Sequence, residues 1–340
     1  MNAPELSFVI PVYNGAATIG FVVQDILRLF QFLTFEIILV NDGSRDQTEA
    51  VCRQLVEAHP QHVTFLQLSR NFSEHNAVLA GLNQSRGAYV AVLDDDGQNP
   101  PAEIIRMYEA IKTGNFDTVY GFYREKQHHW FRNLGSRFND AVATVMLKKP
   151  KHLYLSSFKV MNRFTVDQVI TYRGAFPYID GLIFRTTQNI AQIPVEHRKR
   201  DQGASGYTLK KLVKLWLNMF LNFSISPLRL AAMIGLFTAA ASVPLMILII
   251  IDKIMNPSLT MGVPTILVAM TFFSGIQLLI IGLVGEYLGR MFLDHSGTPQ
   301  YIVRYAYGRE QPEPGPMPRV PQAKRLTPPP LREEPFHVNV

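Results

Sequence analysis

The sequence predicts an α/β domain, followed by an amphipathic helix lying at a membrane surface and a two-helix transmembrane hairpin. Three observations carry this. From about residue 6 to 195, short β-rich runs alternate with helical stretches, the rhythm of βαβ units. Each apolar run ends in polar or glycine-rich residues, the edge of such a sheet where ligands bind. Residues 230–251 and 256–285 then contain no charged side chain.

The strands are expected at 6–11, 35–40, 63–68 and 89–93, with a fifth at 118–121. Their near-continuous apolar character implies strands covered on both faces by helices. Each uncharged stretch exceeds the roughly 20 residues that cross a bilayer core. Two buried helices of a large soluble core are the alternative, and are rare at such length. The linking turn carries only Asp252 and Lys253. The flanks carry Arg198, Lys199, Arg200, Lys210, Lys211, Lys214 and Arg229 before the hairpin and Arg290, Arg304 and Arg309 after it, so both flanks are expected in the cytoplasm.

The expected organisation is a catalytic-type domain over 1–207, a juxtamembrane helix over 208–228, and two spans within 229–290, at about 230–252 and 263–287. A C-terminal segment over 291–340 is expected to be disordered from about 311, where prolines repeat. Residues 208–224 mix Lys210, Lys211 and Lys214 with Leu212, Leu215, Trp216, Met219, Phe220 and Phe223. That pattern fits a helix in the headgroup layer with its lysines on anionic lipid, or else an amphipathic helix packed on the soluble domain.

Composition narrows the function. With 340 residues the chain can bury one sizeable core and carry a second element. The single cysteine, Cys52, excludes an intrachain disulfide and a cysteine-rich metal site, and with them a small disulfide-stapled secreted scaffold. The 33 Lys+Arg against 27 Asp+Glu leave a net charge of +6, which gives no pervasive nucleic-acid footprint. The opening residues lack a basic start followed by a long apolar run, so no secretory signal is expected and the first domain is expected to stay in the cytosol.

The sharpest chemical signal is Asp94-Asp95-Asp96-Gly97-Gln98-Asn99-Pro100-Pro101, where a buried strand ends in three carboxylates. Adjacent acids repel unless a cation sits among them. Asp94 and Asp96 face the same side of extended chain and can share Mg²⁺ or Mn²⁺, with Gln98 as a further oxygen ligand and open positions for a diphosphate. Acids capping a helix that begins at the prolines are the bland alternative. The other strands run into Pro11-Val12-Tyr13-Asn14-Gly15, Asn41-Asp42-Gly43-Ser44 and Ser69-Arg70-Asn71-Phe72. Each has a turn explanation singly. Together they line one sheet edge, where an aspartate can accept from a base or ribose and a tyrosine ring can cover the base.

These motifs, VIPVYN, EIILVNDGSRDQT, LSRNFSEHNAVLAGL, LDDDGQNPP and the later GASGYT, resemble glycosyltransferase family 2 over residues 6–207, and the added hairpin resembles its polyprenyl-phosphate branch. The resemblance implies a GT-A, Rossmann-like mixed sheet and places the family's metal and diphosphate ligands on Asp94, Asp96 and Gln98. It places the donor nucleotide on Pro11, Tyr13, Asn14, Asp42 and Gly43, with Asn71 and Asp95 on the same edge. The acceptor phosphate and departing diphosphate are expected at Arg124, Arg132, Ser157, Lys159, Arg200 and Ser205. Asp94 and Asp96 carry the catalytic role, and no general base is assigned. Several positions depart from the family pattern: Asn41 for an aspartate, Gly15 for a glutamate, Ser156-Ser157-Phe158-Lys159 for serine-glycine-phenylalanine-arginine, and Gly206 for a lysine. A lysine keeps the charge of the arginine but not its bidentate fork.

The resulting expectation is a membrane-bound inverting enzyme moving a sugar from a nucleoside diphosphate donor, UDP by preference, to undecaprenyl or another polyprenyl phosphate at the cytoplasmic face. Its expected partners are that donor, that acceptor, the bilayer and further copies of itself, a tetramer being one form, and no nucleic acid. Two other readings stay open. One is a processive polysaccharide synthase, disfavoured because the glutamine-x-x-arginine-tryptophan signature is missing. The other is a catalytically silent scaffold that binds a sugar nucleotide. Adjacent His128 and His129 do not face one way on a strand and are not expected to hold metal. Glu286 and Arg290, four apart, read as a helical ion pair.

Overall fold

The computed structural model describes residues 3–123, 153, 155–196, 226–255 and 263–308. Five strands fall where their apolar runs predict: β1 (Leu6–Val12), β2 (Phe35–Asn41), β3 (Val63–Leu68), β4 (Tyr89–Val92) and β5 (Thr118–Tyr123). Between them lie α1 (Ile19–Leu29), α2 (Thr48–Ala58), α3 (Glu74–Gln84) and α4 (Pro101–Thr113). Pro101 opens α4 at a position where its missing N–H leaves no bond unmade. Then come β6 (Lys159–Asn162), α5 (Arg163–Val169), α6 (Ile179–Thr186), β7 (Ile190–Val195), the long helices α7 (Ser226–Met255) and α8 (Val263–His295), and β8 (Val303–Tyr307).

The eight strands form one sheet in the order β7-β5-β6-β4-β1-β2-β3-β8. Only β6 and β8 run against the others. Period-2 alternation divides β1 between two cores. Leu6, Phe8, Ile10 and Val12 join the cluster under α1, α2 and α4, and Val9 joins the cluster under α3, α5 and α6. The carboxyl ends of β1 to β5 and β7 therefore share one edge with the amino ends of β6 and β8.

That edge is where the chain departs toward α7, after Val195, and where it returns, at Val303 beside Leu68. The returning strand is a finding, since residues beyond 207 were not expected in the sheet. It is fastened there: the Ser69 N–H donates to the Ile302 carbonyl at 2.9 Å, the Tyr307 hydroxyl donates to Glu57 at 3.2 Å, and the Arg53 guanidinium lies 4.8 Å from the Tyr305 ring centre.

The helices α7 and α8 are 30 and 33 residues long, α7 with Pro244 inside it. Among the described residues one segment, Phe272–Leu293, is long and apolar enough to cross a membrane; its mean hydropathy is 1.5 and its apolar window is not buried inside the protein. Glu286 and Arg290 form the expected ion pair at 2.9 Å. The amphipathic stretch over 208–224 and the proline-rich tail lie outside the described residues.

Candidate active site

The loops after β1 and β2 are stitched together, and this sets the floor of the site. The Asn14 N–H donates to Ser44 Oγ at 2.9 Å and the Asn14 side chain accepts from the Arg45 N–H at 2.9 Å, while the Gly15 N–H donates to Thr48 Oγ1 at 3.0 Å. Tyr13 is left with 48% of its surface open beside them. Asp42 is buried, and its two oxygens accept from the Phe72 N–H at 2.6 Å and the Ser73 N–H at 3.0 Å, which ties β2 to the loop before α3. Gly43 sits at φ +65°, and a Cβ there would meet the Arg70 carbonyl carbon at 2.5 Å, so only glycine lets the two loops close. Asn71, at that contact, is exposed.

Two departures from the family pattern have a local cause. The Asn41 amide donates to Gln67 Oε1 at 2.8 Å and its oxygen accepts from the Ser44 N–H at 3.0 Å and hydroxyl at 2.6 Å. An aspartate would set a carboxylate against the Gln67 oxygen in a buried position. Asn41→Asp is accordingly expected to destabilise the fold by about 1–3 kcal/mol, measured by denaturant unfolding. At Gly15, a Cβ would lie 2.2 Å from Asp95 Oδ2, so glycine is what allows that carboxylate to reach the Tyr13 N–H, at 3.2 Å.

The triple-aspartate turn lies between these loops and β6. Asp94 Oδ2 accepts from the Ser157 hydroxyl at 2.6 Å and the Asn99 amide at 3.0 Å, and Asn99 in turn accepts from the Tyr123 hydroxyl. Gly97 at φ +71° turns the chain so that the Gln98 N–H donates to Asp96 Oδ1 at 3.0 Å. Burial holds the Asp94 carboxyl above its ordinary range and the Asp96 charge adds to this, against the pull of Ser157. Burial pushes Asp95 up to about 7 and Asp42 up to about 6.

Those two shifts set a pH dependence. Each carboxyl holds its proton to higher pH folded than unfolded, so the stability it contributes is complete below 3.8 and is lost as pH rises through about 6 for Asp42 and about 7 for Asp95. The Tm of the metal-free protein is expected to fall between roughly pH 5 and about pH 7.5, followed by calorimetry; a rise over that interval would contradict the burial of these groups.

The donor set fits a hard divalent cation. Asp94, Asp96 and Gln98 offer oxygen atoms on one turn, and the raised carboxyls there ionise together more readily beside a positive ion. Among the described residues no three His, Cys, Asp or Glu side chains form a metal cluster by themselves, so a bound phosphate would have to supply further ligands.

Other expected site residues fall differently. Ser157 braces Asp94. Lys159 lies in the interior, 3% exposed, because its ammonium pairs with Asp180 at the start of α6 and rests 5.2 Å from the Tyr120 ring centre; its charge is directed inward. The Tyr120 hydroxyl donates to the same Asp180 oxygen at 2.9 Å. Pro11 is buried within β1. Arg124, Arg132, Arg200, Ser205 and Gly206 lie outside the described residues. Sequence reasoning missed Glu74 and His75, which open α3 behind Ser73 at φ +86°. Glu74 keeps a solvent-exposed surface, while the surrounding protein and then the Asp94 charge push its carboxyl up to about 7. Enclosure lowers His75 to about 4, its ring edge-on to Tyr178 at 4.9 Å. The signal for both was their place just past a strand end.

Residues 7–170 match Glycosyl transferase family 2. The undecaprenyl-phosphate 4-deoxy-4-formamido-L-arabinose transferase of Proteus mirabilis is 30% identical over 312 residues, 91% of this chain and 95% of the relative. The protein of the same name from Serratia proteamaculans is 32% identical over 312 residues, covering 91% and 95%. A crystal structure of glucosyl-3-phosphoglycerate synthase from Mycobacterium tuberculosis with uridine diphosphate overlays at a TM-score of 0.47, with 18% identity over 64% of this chain and 79% of that one. With its mixed sheet and acidic turn at the strand ends, the chain belongs to glycosyl transferase family 2 and is a glycosyltransferase of the GT-A fold.

Proposed function

We propose that the protein transfers one sugar from a nucleoside diphosphate sugar, with UDP as the nucleotide, to undecaprenyl phosphate at the cytoplasmic face of a membrane. The observation that carries this is the placement of the long helices. The chain leaves the sheet at Val195 and returns at Val303, both on the edge that holds Tyr13, Asp42 and Asp94 to Asp96. An acceptor anchored by an isoprenoid tail would meet the site from that side. The relatives' names support the acceptor class. We read α7 and α8 as a two-span hairpin with both chain ends cytoplasmic.

In this reading Tyr13 covers the base, Asn14 and the loop from Asp42 to Gly43 hold the nucleoside, and the acidic turn faces the diphosphate. An acceptor phosphate oxygen attacks the anomeric carbon opposite the diphosphate. The new C–O bond forms as the bond to the diphosphate oxygen breaks, with inversion. That phosphate is already anionic, so no side chain needs to remove a proton, and positioning supplies much of the rate. A Mg²⁺ or Mn²⁺ held by Asp94, Asp96 and Gln98 supplies charge neutralisation at the leaving diphosphate. Ser157 and Asn99 hold Asp94 in place for this.

The test is incubation of the purified protein with Mg²⁺ or Mn²⁺, undecaprenyl phosphate and a panel of UDP- and GDP-sugars, with lipid products read by mass spectrometry. One sugar added to the lipid from one donor is the expected result. Nucleotide binding without lipid product from any donor would sink the proposal, and long glycan chains would indicate a processive synthase.

A further inference from the structure

We propose that the loop between α5 and α6, residues 171–178, is a membrane contact of the soluble domain, seated in the headgroup layer beside the C-terminal end of α8 with Phe176 as its immersed side chain. This rests on the membrane reading of α8 and adds a second surface to it. The partner is a bilayer containing anionic lipid.

Topology puts the loop at the right edge. Strand β6 runs away from the site edge, α5 returns to it, and α6 leaves again before β7 comes back parallel to β5. The loop joining α5 to α6 therefore lies on the same edge as the triple-aspartate turn and the two connections to the long helices.

Two contacts fix its height against α8. The Gln300 amide donates to the carbonyls of Tyr172 and Gly174, both at 2.9 Å, binding the loop to the chain just past the helix. The Arg290 guanidinium lies 5.2 Å from the Phe176 ring centre. Arg290 falls inside Phe272–Leu293, the segment apolar enough to span, and only three residues from its end. The loop is thus level with the last turn of that segment.

The chemistry of the outward side matches that depth. Ala175 and Pro177 are turned inward, which leaves Phe176, 37% exposed, and Arg173 facing out. On α8, in the same turns as Arg290, Leu288, Met291 and Phe292 are also exposed. An aromatic ring under a guanidinium, with a second arginine near, is suited to the boundary where apolar groups meet acyl chains and cations meet lipid phosphate. In water the exposed Phe176 ring and the bare apolar side chains of α8 would both stay uncovered. Asp180 follows the loop by two residues and pairs with Lys159, two residues from the Ser157 that holds Asp94, so seating the loop would also set the site's distance from the lipid phosphate.

The test uses the full chain. Its one cysteine, Cys52, is buried and its thiol is pushed up to about 12, so an introduced surface cysteine takes the label alone. Phe176→Cys and, as a second position on the same loop, Arg173→Cys are labelled with an NBD fluorophore and reconstituted in phosphatidylethanolamine–phosphatidylglycerol vesicles. Leu278→Cys on α8 and Phe32→Cys, which precedes β2 at the opposite edge of the sheet, are the references. The loop probes are expected to shift to the blue and to be quenched most by lipids spin-labelled near the headgroup, consistent with immersion of about 5–10 Å. The probe at 32 is expected to stay unquenched. If position 278 is quenched while 173 and 176 both behave as the probe at 32 does, the loop contact is overturned and the membrane reading stands. If position 278 is also unquenched, the membrane reading fails and the loop contact falls with it.

Discussion

Asp96→Ala is expected to lower sugar transfer on the order of 10³-fold, about 4 kcal/mol of transition-state stabilisation, while leaving the fold within about 1 kcal/mol of the original. Asp96 suits this test better than Asp94. Its carboxylate accepts from the Gln98 N–H within its own turn, whereas Asp94 also anchors Ser157 and Asn99 and its loss would loosen the walls of the site. Steady-state rates with lipid acceptor give the first quantity and urea unfolding the second. Turnover of the original protein should also cease with EDTA and resume with Mn²⁺ or Mg²⁺; near-normal rates in EDTA would remove the metal role from this turn.

Lys159→Met is expected to destabilise the protein by about 3–5 kcal/mol, because Asp180 is then left charged in the interior with, among the described residues, the Tyr120 hydroxyl as its remaining hydrogen-bond donor. Adding Asp180→Leu should recover most of the loss, since two apolar groups replace a buried pair without stranding a charge; the Tyr120 hydroxyl, now without its acceptor, would account for a remainder of about 1 kcal/mol. Equal losses in the single and double variants would show that the pair is not coupled. The pair explains why a lysine serves where the family carries arginine. Here the cation meets one carboxylate oxygen beside an aromatic ring, and a compact ammonium fits that corner without a fork.

How much of this was legible follows from what each residue reports. Strands such as Phe35–Asn41 are apolar throughout because both faces are covered, and a buried run followed by turn residues is readable in one dimension. Strand β6 is four residues, one of them a lysine and one an asparagine, and its identity depends on pairing with β4 and β5. Strand β8, VRYAY, is half-exposed and lies past two long helices, so nothing local ties it to the sheet. The site divides in the same way. Strand-end residues were visible because topology alone brings them together. Asp180 was invisible, since only the fold sets a helix residue against Lys159. Asn41 and Gly15 looked like deficits in sequence; in the structure they are bonded to Gln67 and fitted to Asp95.

The returning strand also imposes an order on assembly. Tyr307 pairs with Phe65 across about 240 residues of chain, a closure that local contacts cannot hasten. During synthesis β3 has emerged, with its neighbours β2, β1 and β4 available, on the order of ten seconds or more before β8 exists. For that interval its outer N–H and C=O groups form an open edge, the kind that captures other chains. The sheet becomes whole only after both long helices have been made, so the last strand acts as a completion signal: a chain halted within α7 or α8 carries an adhesive edge, and a finished one conceals it.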